Sequence, residues 1–160
     1  MLLLTWNLAG RIAKLKSQLK AISKYKADIM AFQEVTVTTK ELLREELSRM
    51  GYKNIKDSFS LSKEHHMLTG KRKYGLMIAS RYELKCTSPK MFNVPWKERI
   101  LSVDVITEFG KIELHTTHIP PGSSNGWKKI EMLEGIFERL NKNSTKHRIL
   151  CGDFNTPKAE

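Results

Sequence analysis

The chain opens on an apolar run, Leu2-Leu3-Leu4-Thr5-Trp6, which reads as a short buried strand. Gly10 breaks it. Ile12, Leu15, Leu19 and Ile22 then recur at helical spacing, with Lys14, Lys16, Lys20 and Lys24 on the other faces, the pattern of an amphipathic helix. Ile29-Met30-Ala31-Phe32 is a second buried strand. Thr38 or Thr39 can cap a helix that carries Leu42, Leu43, Leu47 and Met50 and stops at Gly51. The first third is therefore expected to run β-α-β-α.

The pattern then changes. Tyr52–Phe59, Gly75–Ala79, Tyr82–Ser88, Ile100–Thr107 and Lys111–Thr117 all read as strands, and the tight connection Glu108-Phe109-Gly110 makes the last two a hairpin. Ser60–Arg72 and Pro120–Asn125 are polar loops. A helix follows, with Ile130, Leu133, Phe137 and Leu140 on its predicted buried face, and Arg148–Gly152 is a final strand. Helices mixed with consecutive antiparallel strands predict an α+β fold, sheets covered by helices on one side.

Length and composition narrow the class. A chain of 160 residues is one domain, and 40% hydrophobic with 28% charged residues is globular composition. No apolar run approaches the ~20 residues of a membrane span. Met1–Leu4 is too short for a signal-peptide core, so a soluble, cytoplasmic protein is expected. The net charge of +11 has no basic tail behind it and draws polyanions: nucleic acid, phosphorylated metabolites or acidic lipid. Cys86 and Cys151 lack metal-type spacing and read as free, buried thiols.

Polar groups stand at the ends of four predicted strands: Asn7, Glu34, His118, and the pair Asp153 and Asn155. Singly, each is an ordinary turn or loop residue. Together, a carboxylate pair, two amides and an imidazole can bind a hard divalent cation and an anionic substrate. Arg72 and Lys73 could contact phosphate, or simply be a solvated basic loop. Trp96 could stack on a base or pack against its own loop. His65-His66 is not read as a metal pair, because adjacent side chains point apart.

Thr5-Trp6-Asn7, Phe32-Gln33-Glu34, Thr117-His118-Ile119-Pro120 and Gly152-Asp153-Phe154-Asn155 occur in the order used by the endonuclease/exonuclease/phosphatase family, and Tyr74–Arg81 resembles the family's internal strand. The resemblance implies a DNase I-like α-β-β-α sandwich and hydrolysis of phosphoesters with Mg²⁺ or Mn²⁺. By position, Glu34 matches the metal-binding carboxylate and Asn7 the amide near the metal. Asp153 matches the group that orients or deprotonates the attacking water, Asn155 its partner, and His118 a phosphate contact. Family domains are longer and end in an Asp-His pair, which this sequence lacks. Residues 1–160 therefore resemble the N-terminal portion of a single incomplete domain. Such a chain is expected to be inactive or impaired, with one face of its strands uncovered for self-association or for a missing C-terminal part. Nucleic acid is the favoured substrate. The alternatives are a phosphatase or phosphodiesterase for a phospholipid or small phosphate ester, and a non-catalytic polyanion-binding module.

Overall fold

A computed structural model of the chain describes residues 1–59, 73–87, 91–144 and 147–156. The loop expected over 60–72, with Arg72 and the His65-His66 pair, lies outside the described residues. Strands β1 (Leu3–Asn7), β2 (Ile29–Val35), β3 (Asn54–Asp57) and β4 (Gly75–Ser80) form one sheet in the order β1-β2-β4-β3. Strands β5 (Glu83–Cys86), β6 (Ile100–Thr107), β7 (Gly110–His118) and β8 (His147–Asp153) form a second, in the order β5-β6-β7-β8. Two pairs, β1 with β2 and β7 with β8, are parallel, and the other pairs are antiparallel.

Alternation along β2 builds the layers. Met30 and Phe32 face outward, into a core shared with Leu15, Leu19 and Ile22 of helix α1 (Leu15–Ser23) and Leu43 and Leu47 of helix α2 (Lys40–Arg49). Ile29 and Ala31 face the second sheet and pack with Leu101, Val103, Val105 and Leu114. Beyond that sheet, Ile100, Phe92 and Val94 meet Met132 and Ile136 of helix α4 (Trp127–Leu140). The order of layers is α-β-β-α, so helices cover the outer side of both sheets, as the resemblance implied.

Several local expectations are corrected. The strands near Tyr52 and Tyr82 shorten to β3 and β5. β1 is an edge strand with Trp6 38% exposed, rather than a buried one. Gly122–Asn125, expected as loop, forms the one-turn helix α3. At the start of α2, Thr36 and Thr39 exchange bonds, each hydroxyl accepting the other's backbone N–H at 3.0 Å. Thr39 thus caps backward, onto the residue that begins the turn. The buried face of helix α4 is shifted from the expected one: Leu133 and Leu140 do pack on the core, but Ile130 and Phe137 are exposed, whereas Met132, Gly135 and Ile136 are buried. The cause is Gly135, where an added Cβ would lie 2.1 Å from the Asn93 carbonyl oxygen. The 92–94 segment presses its backbone onto the helix there, and that contact outranks the apolar period. Cys86 is exposed and Cys151 half-buried, both free. The expected uncovered sheet face is absent among the described residues. The sheets end on β1 and β3 and on β5 and β8, with β1 lying against β8 and β3 against β5. No helix among the described residues is long and apolar enough to cross a membrane.

Buried His115 makes stability depend on pH. His115 is fully buried on β7, its Nδ1 2.8 Å from the Ser102 hydroxyl and its Nε2 without a hydrogen bond, 4.0 Å from Glu113 Oε2. Burial drives its pKa down to about 4, and Glu113 nearby only partly opposes this. The unfolded chain takes up the proton near pH 6.5, the folded chain only near 4. Stability is therefore unaffected above pH 6.5 and falls as pH drops from there toward 4. The loss attributable to His115 is expected to reach about 3 kcal/mol. Urea midpoints between pH 7.5 and 4.5 check it: His115→Leu should shallow the decline relative to wild type, and equal slopes would contradict the assignment.

Candidate active site

The site forms where parallel strands end together. Asn7 closes β1 opposite Gln33 of β2, and His118 closes β7 opposite Asp153 of β8. Gln33 points between the sheets. Its Nε2 donates to Thr5 Oγ1 (3.0 Å), the Ala31 carbonyl (3.2 Å) and Thr116 Oγ1 (2.9 Å), bonding the two sheets beside the site. Strict alternation would send the next side chain, Glu34, toward the outer helices. Instead the pairing of β2 with β4 is irregular between Phe32 and Val35, and Glu34 takes φ +53°. A break of this kind re-aims a side chain at a sheet end. Asp153 follows Gly152, whose φ of +135° puts it beside the Thr117 backbone.

Asn7 ties the carboxylates together. Its Nδ2 donates to Glu34 Oε1 at 3.0 Å and to Asp153 Oδ2 at 2.7 Å. Its Oδ1 accepts the Ala9 N–H at 2.7 Å, which fixes which end of the amide faces the acids. Asn7 therefore meets the acids with its donor end. One ligand atom each from Glu34, His118 and Asp153 lies within 4.8 Å of the others. Glu34 Oε1 is 3.5 Å from His118 Nε2. The backbone N–H of Asn155 donates to Asp153 Oδ1 at 2.9 Å, and its Nδ2 donates to the Ile119 carbonyl at 2.7 Å. Asn155 itself sits at φ +46°.

Behind His118 stands Arg99, a residue that no sequence motif marks. Arg99 Nη1 is 2.5 Å from His118 Nδ1. A guanidinium only donates, so Nδ1 accepts and the imidazole proton sits on Nε2, toward Glu34. Burial is the main force holding the His118 pKa down to about 4, with Arg99 adding to it against the pull of Glu34 and Asp153. At neutral pH the ring is uncharged and offers an N–H to the site. The donor set suits a hard cation: two carboxylates converge on one point with a single amide between them, and carboxylate oxygens are Mg²⁺ ligands.

The remaining candidates lie farther out. Lys73 is exposed at φ +47°, next to Tyr74, whose ring centroid is 6.2 Å from that of His118. Trp96 is half-buried against the α4 core, and its ring lies 5.9 Å from the Arg99 guanidinium carbon. It packs on Arg99 instead of standing free.

The family profile described as the Endonuclease/Exonuclease/phosphatase family matches residues 4–160. The chain belongs to the endonuclease/exonuclease/phosphatase family. Solved structures of this fold agree. A humanized D. rerio TDP2 superposes with TM-score 0.70 at 16% identity, covering 98% of this chain and 63% of the other. An AP endonuclease from Archaeoglobus fulgidus gives 0.64 at 24%, covering 97% and 58%. The 3′ phosphatase NExo from Neisseria, bound to product DNA hairpin, gives 0.68 at 20%, covering 100% and 60%. This member of the endonuclease/exonuclease/phosphatase family thus spans 58% to 63% of the length of those three chains. No curated protein matches it significantly in sequence.

Proposed function

We propose that residues 1–160 supply one part of a divalent-cation-dependent phosphoester hydrolase acting on nucleic acid in the cytoplasm. The observation that carries this reading is the convergence of Glu34, Asp153, Asn7 and His118 from four strand ends. Glu34 would hold the cation, with Asp153 in reach and Asn7 fixing both carboxylates. When bound, Mg²⁺ or Mn²⁺ would offset charge on phosphoryl oxygens and on the leaving oxygen. Asp153 accepts the proton of the attacking water. The N–H on His118 Nε2 donates to a phosphoryl oxygen as its charge grows, and Arg99 behind the ring prevents that proton from moving to Nδ1.

The rest of the domain is proposed to join at the open edges. β1 and β8 each end one of the two sheets and lie in contact with each other. The edges therefore lie side by side, and unpaired strand edges recruit further strands. Self-association through them is the default when no complement is present.

The test is turnover of the purified 160-residue chain with Mg²⁺ on abasic DNA, plasmid DNA and bis(4-nitrophenyl) phosphate. We expect little or none. Robust turnover by this chain alone would overturn the reading of an incomplete site. DNA binding that needs no Mg²⁺ and ignores both Glu34→Gln and Asp153→Asn would favour a binding module without catalysis. Preference for a phospholipid or small phosphate ester over DNA would reassign the substrate.

A further inference from the structure

Helix α1 carries a charge pattern that the hydrolytic centre does not use. Between Leu8 and Ala27 there are six basic residues, Arg11, Lys14, Lys16, Lys20, Lys24 and Lys26, and no acidic one. All six are exposed, and none has a carboxylate partner in an ion pair among the described residues. Helix α2 is the contrast, since there Arg44 and Arg49 pair with Glu41, Glu45 and Glu46 on the same surface. Leu15, Leu19 and Ile22 of α1 are buried. Lys16, Lys20 and Lys24, at i, i+4 and i+8, form a stripe on the solvent side that runs about 12 Å along the axis.

The stripe leads away from the proposed hydrolytic centre. β1 ends at Asn7, and three residues later Gly10 abuts Tyr74, so closely that an added Cβ would lie 2.7 Å from Tyr74 Cε1. The Tyr74 ring is in turn beside His118. From this rim the chain passes Arg11 and Lys14 and enters α1.

We propose that α1 is a backbone track for a nucleic-acid strand whose reacting phosphate lies at Asp153 and His118. This rests on the function proposed above and assigns its substrate a length: a polymer with several phosphates outside the site, not a small ester. Each strand of a duplex carries a phosphate every ~3.4 Å of axis, so the stripe faces three or four in succession. An anionic membrane fits less well. The apolar side of α1 is spent on the core, leaving Ser17 and Ala21 among the lysines; exposed Ile12 and Tyr25 lie beyond opposite ends of the helix and form no continuous apolar face to insert.

The experiment compares the 160-residue chain with Lys16→Gln/Lys20→Gln/Lys24→Gln and with a control, Lys85→Gln/Lys111→Gln/Lys142→Gln, which removes equal charge elsewhere. Binding of a short fluorescein-labelled DNA duplex is titrated without divalent ions over a range of salt concentrations, and Mn²⁺ binding is measured separately. The α1 variant should bind at least about tenfold more weakly at low salt. Its slope of log K against log salt should be shallower by about 2 to 3, against a small change in the control. Mn²⁺ binding should be unchanged in both, which reports an intact fold and site. Equal slopes in wild type and α1 variant would overturn the track. So would a loss confined to phosphatidylserine vesicles with DNA binding intact. A track that survives while Asp153→Asn leaves hydrolysis by the natural gene product untouched would instead remove the enzymatic reading and keep the polyanion surface.

Discussion

Asp153→Asn is expected to lower Mg²⁺-dependent phosphodiester hydrolysis by about 10²–10⁴-fold, the usual contribution of a positioned acid–base group. The substitution preserves shape. An Asn side-chain oxygen can still accept the Asn155 N–H that Asp153 Oδ1 accepts at 2.9 Å. It removes the negative charge and the capacity to take a proton. It also replaces the acceptor that Asn7 Nδ2 reaches at 2.7 Å. The fold should suffer little, because the loss of that one bond is set against the relief of a like-charge contact. Asp153 and Glu34 are two carboxylates brought to the same point, and like charges held together cost stability. Neutralising one is expected to leave the urea midpoint unchanged or slightly higher, an exchange of stability for function common at catalytic sites. The measurement is kcat and KM on a DNA substrate, made in the natural gene product at whatever length it is expressed. The same substrate titration should leave KM within a few-fold, because the change falls on the reacting water and not on the phosphate backbone. Turnover within threefold of wild type would remove Asp153 from the chemistry.

The strand ends were readable because an apolar run that stops at a polar residue states where a strand leaves the core. Asn7, Glu34 and Asp153 each stand within two residues of such a run, and His118 follows the strand pattern of Lys111–Thr117. The structure sets those ends against one another by pairing β1 with β2 and β7 with β8 in parallel. What was hidden depends on contacts distant in sequence. Nothing local marks Arg99: it is one more cation in a basic chain until the β6–β7 pairing lays it against His118. The rotation of α4 was hidden for the same reason, since Ile130 and Phe137 have the right period and only the press of Asn93 on Gly135 decides against them. For Trp96 the sequence leaves base stacking and packing against its own loop both open, because the loop gives no sign of Arg99 beneath it. The bare sheet face that the resemblance implied is instead covered by the second sheet, because β5 to β8 already supply Leu101, Val103, Val105 and Leu114 to pack on Ile29 and Ala31, contacts that no local pattern announces.

Gly152→Ala should cost more stability than any other single-methyl addition at a glycine in the ordered strands. Gly152 pairs with Thr117 in the parallel ladder of β7 and β8. A Cβ there would lie 2.0 Å from the Thr117 carbonyl oxygen and 2.8 Å from its nitrogen. Both are backbone atoms of a buried strand and cannot rotate aside. The φ of +135° adds strain of its own, about 1–3 kcal/mol for a residue with a side chain. Overpacking a filled interior adds about 1–3 kcal/mol more. A total near 4 kcal/mol is a large share of the ~5–15 kcal/mol that holds a typical domain together. Gly110 separates the two terms. It has φ +116° and nothing within 4 Å of an added Cβ, so Gly110→Ala should show the strain without the clash. Urea denaturation of both variants gives the difference. A Gly152→Ala midpoint no lower than that of Gly110→Ala would mean that β8 can slide off β7 at no cost. Asp153 would then not be held rigidly opposite His118, and the preorganisation on which the proposed chemistry depends would be lost with it.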